Sequence, residues 1–191
     1  KGQFPVATIL TCSDSRVPAE IIFDRGVGDL FVVKVAGNVA DVDEIGTVEY
    51  GTDHLHTPVL LVLGHTKCGA VTAVATGGEL HGNIPSLVDN IKPAVEKAQA
   101  EYPSKAGKEL VPYATKANVF QSLADIIKHS PIVAKLIKSG KLKAVGAIYD
   151  IETAQITWLG EHPLQAKLIE ETKEPAHGDA EHSEPGFFSS P

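Results

Sequence analysis

The chain has 191 residues, 43% of them hydrophobic, and a formal net charge of −7 at neutral pH. That length suits one substantial core rather than two ordinary enzyme domains, and the apolar runs are broken by Gly, Asp or His well short of a membrane span. The negative balance argues against nucleic acid and anionic membranes, which are met through a basic face, and leaves small neutral or weakly charged substrates as partners.

Taken in order, residues 6–11 predict a first buried strand, and residues 29–35 a second. The loop at 17–28 between them holds a short helical turn at 19–23. Residues 41–56 carry Val42, Ile45, Val48 and Leu55 at helical spacing, with Asp41 or Asp43 as the cap. Pro58 ends that helix and opens a third strand over 58–65. A helix over 69–76 follows Cys68 directly, so its first amides face the same end as the strand. Residues 86–102 predict a helix bent at Pro93, and 105–109 a polar break. Helices follow at 113–129 and 131–139, the latter starting on a proline. Strands at 143–151 and 155–159 are joined by a turn at 152–154.

This order predicts an α/β fold: a mostly parallel four-stranded sheet with an antiparallel edge strand, flanked by helices. Residues 1–166 are expected to form the catalytic domain. Residues 167–191, rich in Glu, His, Pro and Ser, are expected to form an acidic tail, flexible or packed on a partner subunit through Phe187 and Phe188. No methionine is present, so the sequence is expected to begin after its initiator, which is compatible with a removed signal peptide. The compartment is left open: soluble, and cytoplasmic or periplasmic if the source is bacterial.

The chain has two cysteines. Cys12 ends the first strand, and Cys68 follows the third in Gly64-His65-Thr66-Lys67-Cys68-Gly69. Neighbouring parallel strands would bring both thiols and His65 to one carboxyl edge, where open α/β sheets place their sites. Two thiolates and one imidazole make a three-ligand zinc site with a fourth position free, the stoichiometry of a catalytic zinc. A disulfide beside a core histidine is the alternative for the same residues. Asp14 and Arg16, two apart, share one side of an extended segment and lie within reach of each other. Gly26-Val27-Gly28 precedes a strand rather than a helix, so it is not a dinucleotide fingerprint, and Gly64-His65-Thr66-Lys67 lacks phosphate-loop spacing.

Cys12-x-Asp14-x-Arg16, His65-x-x-Cys68, Phe31-Val32-Val33-Lys34-Val35-Ala36-Gly37-Asn38 and Glu49-Tyr50 together resemble the β-class carbonic anhydrases, over a stretch from Gly2-Gln3 to about Trp158. The resemblance implies one zinc per chain held by Cys12, His65 and Cys68, and reversible hydration of carbon dioxide to bicarbonate. It implies that Asp14, held by Arg16, orients the water on zinc, or in some members joins the metal as a fourth ligand. Gln3 would reach a neighbouring subunit's site, Phe31, Ala36 and Tyr50 would line an apolar substrate pocket, and His54 would pass protons. The Gly69 amide, opening its helix, is a candidate donor to a substrate oxygen.

The expected assembly is a homodimer or a tetramer of dimers, formed chiefly by the second strand and the helix at 41–56. Relatives carry helices ahead of the first strand that embrace a partner; only five residues precede Val6, so that clasp is expected to be short or missing. Lys34 stands where many relatives have Arg, and Ile9 where a bicarbonate-regulated branch has Trp, departures that argue against that regulatory site. Two rival functions share the scaffold: hydrolysis of carbonyl sulfide or carbon disulfide, and a non-catalytic zinc-binding subunit.

Overall fold

A computed structural model describes residues 2–172. Its elements alternate as predicted. β1 (Ala7–Cys12) leads through α1 (Ala19–Ile22) to β2 (Leu30–Val35), and a tight turn at Ala36–Asn38 leads to α2 (Val42–Glu49). β3 (Val59–His65) is followed by α3 (Gly69–Thr76), α4 (Ile84–Asp89), α5 (Lys92–Glu101), α6 (Val111–His129) and α7 (Pro131–Lys138). β4 (Lys143–Tyr149), β5 (Ile156–Gly160) and α8 (Gln165–Glu171) complete the described chain.

The sheet has five strands in the order β2-β1-β3-β4-β5, the first four parallel and β5 antiparallel to β4. β1 feeds β2 on one side and lies beside β3 on the other. The strand order therefore reverses between β1 and β3, and the crevice of such a sheet opens at the carboxyl ends of those two strands. The register pairs Cys12 with Val35 and Thr11 with Leu63, which sets the end of β1 next to His65 at the end of β3.

One face of the sheet packs Leu10, Leu60, Val62 and Ala144 against Ile45 and Val48 of α2, Val119, Leu123 and Ile126 of α6 and Val133 of α7. The other face packs Ile9, Leu61, Leu63 and Val145 against Val17 and Ala19. The long helix α6 settles close on β3 and β4 because Gly64 and Gly146 leave room for Val119. A Cβ at either glycine would stand 2.6 or 2.7 Å from a Val119 methyl.

Several boundaries differ from expectation for local reasons. Asp41 is the cap of α2: its carboxylate accepts from Val42 N at 2.7 Å, while Glu44 accepts from Asp41 N at 3.1 Å, a capping box worth about 1 kcal/mol. The helix predicted to run on to residue 56 instead widens at Tyr50–His54 into a turn of π type. The helix predicted over 86–102 is two, because Pro93, at the second position of α5, has no amide to continue an earlier ladder. The boundary expected at residue 167 falls inside α8, whose Leu168 is buried against Ala124, Ile127 and Ala134; Phe187 and Phe188 lie outside the described residues.

Gly146→Ala is expected to lower stability by about 1–3 kcal/mol by driving a methyl into Val119, and Val119→Ala is expected to return part of that loss in the double variant. Thermal or denaturant unfolding of the four proteins reads the coupling; strict additivity would show that α6 does not close on β4 in this way.

Candidate metal centre

Cys12 closes β1, His65 closes β3 and Cys68 caps the start of α3. Between the last two, Lys67 takes a left-handed conformation (φ 57°) that turns the chain. The two sulfurs and an imidazole nitrogen lie within 4.8 Å of one another, and the three residues are 5%, 0% and 1% exposed. Both thiols are free, so the disulfide alternative does not describe this fold.

His65 Nδ1 stands 2.8 Å from the Thr66 carbonyl. A carbonyl only accepts, so Nδ1 carries the proton and Nε2 presents a bare lone pair. That Nε2 is buried and has no hydrogen-bond partner among the described residues, an arrangement that is costly unless the lone pair meets a donor or a cation. Interaction with the Cys68 thiol, with help from the Gly37 amide, pulls Cys12 well down from the usual thiol value, while the Cys12 sulfur and then burial push Cys68 up. A divalent cation would draw both into thiolate form. The donor set, Cys2His with one lone pair orphaned, fits zinc.

Asp14 and Arg16 are joined by a fork. Arg16 Nε donates to Asp14 Oδ1 at 2.9 Å, Nη2 donates to Oδ2 at 2.7 Å, and the Arg16 amide donates to Oδ1 at 2.9 Å. The pair sits in a turn, closed by Val17 N donating to Asp14 O at 3.1 Å, rather than on an extended segment. The Arg16 guanidinium holds the Asp14 carboxyl well below the usual carboxylate range. Asp14 Oδ2 lies 3.8 Å from His65 Nε2, beside the three donors rather than among them. Lys34 Nζ, from β2, donates to Val17 O at 2.9 Å and ties down the far end of this turn.

The remaining sequence-predicted residues divide into two sets. Gly69, the first residue of α3, follows Cys68 and is exposed; Ala36 is half-buried and leads into the turn at Gly37, whose amide donates to Cys12 Sγ at 3.3 Å. Those two lie at the carboxyl edge. Phe31 pairs with Thr8, four residues before Cys12, and stacks near Tyr50 (centroids 5.7 Å), which in turn lies 4.7 Å from the ring of His54. Gln3 is exposed and precedes β1. Four strand residues span roughly 13 Å, so the chain does not bring Gln3, Phe31 and Tyr50 to its own three donors. The Gly37 amide and the Lys34 tether were missed by sequence reading; the only signal was the Ala-Gly-Asn block itself.

The sequence model of a family described as "Carbonic anhydrase" matches residues 7–156. Carbonic anhydrase 2 of Mycobacterium tuberculosis is 37% identical over 155 residues, covering 79% of this chain and 72% of that protein. The crystal structure of the β-carbonic anhydrase CafA of Aspergillus fumigatus superposes with a TM-score of 0.81 at 27% identity, covering 91% of this chain and 85% of that one. One of two tetrameric β-carbonic anhydrases of Sordaria macrospora superposes with a TM-score of 0.76 at 26% identity, covering 84% and 83%.

Because the folded-state carboxyl of Asp14 titrates below its unfolded value, its contribution to stability is present above the ordinary aspartate range and is lost as pH falls through the folded value. Arg16→Met is expected to raise the Asp14 titration to about 4 or above, read by carbon-detected NMR of the side-chain carboxyl. An unmoved titration would show that the fork does not govern this group.

Proposed function

Given that this chain belongs to the β-class carbonic anhydrases and is a carbonate dehydratase by that membership, we propose that it catalyses the reversible hydration of carbon dioxide to bicarbonate and a proton with one zinc per chain. The observation that carries this reading is the buried Cys12–His65–Cys68 group with its unpartnered His65 Nε2. Zinc bound there would supply a Lewis acid that lowers the pKa of water and makes it a nucleophile.

The chain's own residues do the rest. Asp14, kept ionised by the two-pronged contact with Arg16, is an acceptor fixed beside the donors and aligns a water by taking its O–H hydrogen bond. Lysine could not replace Arg16, since one ammonium cannot span both carboxylate oxygens. The Gly69 amide at the start of α3 meets a substrate oxygen as charge builds there. His54 carries the released proton toward buffer. Gln3 and the Phe31–Tyr50 wall serve the site of a second copy, since their own chain holds them away from its donors, and a two-fold pairing completes two sites at once. This is the basis for reading the protein as a homodimer or a tetramer of dimers; light scattering that finds a fully active monomer would contradict it. Among the described residues no helix is long and apolar enough to cross a membrane.

Purified protein is expected to carry about one zinc per chain, and Cys12→Ala or His65→Ala to lose both the metal and carbon dioxide hydration. Active, metal-free protein would overturn the reading, and parallel assays with carbon dioxide and carbonyl sulfide decide the substrate. Two thiolates cancel the formal charge of the cation, so hydration activity is expected to climb from neutral toward alkaline pH. A profile already at its maximum below neutrality would contradict the charge argument.

A further inference from the structure

α6 reaches the edge of the metal centre and grips the turn at Ala36–Asn38 by two consecutive carbonyls. Asn118 Nδ2 donates to Gly37 O at 2.7 Å, and Ser122 Oγ donates to Asn38 O at 2.8 Å. Both gripped residues are left-handed, with φ of 76° at Gly37 and 46° at Asn38. Glycine is required at position 37, where a Cβ would also lie 2.6 Å from Ile91 Cδ1. Held this way, the Gly37 amide donates to Cys12 Sγ at 3.3 Å.

Asn118 itself is an expensive residue in its place. It is 1% exposed on the face of α6 turned to the sheet, and its Oδ1 has no hydrogen-bond partner. An apolar side chain would carry no such unmet oxygen, so packing alone does not account for a carboxamide here. What the side chain contributes is its bond to the Gly37 carbonyl, in the same residue as the amide that meets the sulfur.

We propose that Asn118 is a positioning residue for the metal centre: by fixing the Gly37 peptide it sets the hydrogen bond on the Cys12 sulfur, and with it the strength and placement of that sulfur as a zinc ligand. An N–H directed at a thiolate draws charge from the sulfur, lowers its donor orbital and restrains its direction, which is how groups outside the ligand set tune a bound metal. The inference rests on the zinc reading above. It adds a residue fifty positions beyond Cys68, on a helix that supplies no ligand.

The test compares the full chain with Asn118→Leu, which keeps the number of side-chain heavy atoms and removes both the unmet oxygen and the bond to Gly37 O, with Asn118→Ala, and with Ile126→Val. Ile126 is equally buried on the same helix and outside the turn, so its variant controls for loss of packing. Each protein is loaded with zinc and, separately, with cobalt(II). Wild-type chain that takes up no zinc would sink the reading beneath the proposal. With zinc bound by the wild type, both Asn118 variants are expected to hold it about 10-fold more weakly in chelator competition, and their sulfur-to-cobalt charge-transfer band to move to lower energy, while Ile126→Val keeps the wild-type band and affinity. Unchanged affinity and band in both Asn118 variants, or equal changes in Ile126→Val, would overturn the proposal.

Discussion

Because β1 pairs with β2 on one side and with β3 on the other, the chain leaving β1 and the chain leaving β3 turn away from each other at the carboxyl edge. The space between them is the one position in the sheet where two strands can each offer a side chain to a common point without a connecting loop covering it. Cys12 and His65 are the residues at those two strand ends, and Cys68 follows three residues later as the cap of α3. Strand pairing therefore does most of the assembly of the donor group, and register sets its accuracy. A slip of one residue in β1 would turn Cys12 to the opposite face of the sheet.

Three polar side chains with almost no exposure are a liability in a core of Leu, Val and Ile, and the surrounding structure is what makes the arrangement tolerable. The His65 Nδ1 proton is taken by a backbone carbonyl, one sulfur by the Gly37 amide, and the Asp14 charge by the Arg16 fork. The bare His65 Nε2 is left without any such partner among the described residues. A cation would satisfy it and the thiols together, which would tie the stability of this edge to metal uptake. Elsewhere the packing serves to hold this edge still: α6 closes on Gly64 and Gly146 through Val119, and from that seat its Asn118 and Ser122 reach the turn after β2.

Much of this was legible in the sequence because it is local. The strands read as short apolar runs ending at turn residues, and the ligands stand at fixed offsets from those ends, so the donor group and the Asp14–Arg16 pair could be named from the chain. What was not legible depends on tertiary contact. Residues 165–171 are rich in charge and have only Leu168 and Ile169 for an apolar face, so α8 reads as tail until α6 and α7 offer it a groove. Pro93 marks a helix start as readily as a bend, and here it stands at the second position of α5. The Lys34 tether and the grip of Asn118 on Gly37 join residues 17 and 81 positions apart, separations that no periodicity encodes.

The claim on which the account rests is that one metal is held by two sulfurs and one imidazole. Zinc-edge X-ray absorption of the purified full-length protein tests it most directly. The account predicts a first shell fitted by two sulfur scatterers at about 2.3 Å and lighter nitrogen or oxygen scatterers at about 2.0–2.1 Å. A shell without sulfur, or one fitted only by four sulfurs, would contradict it.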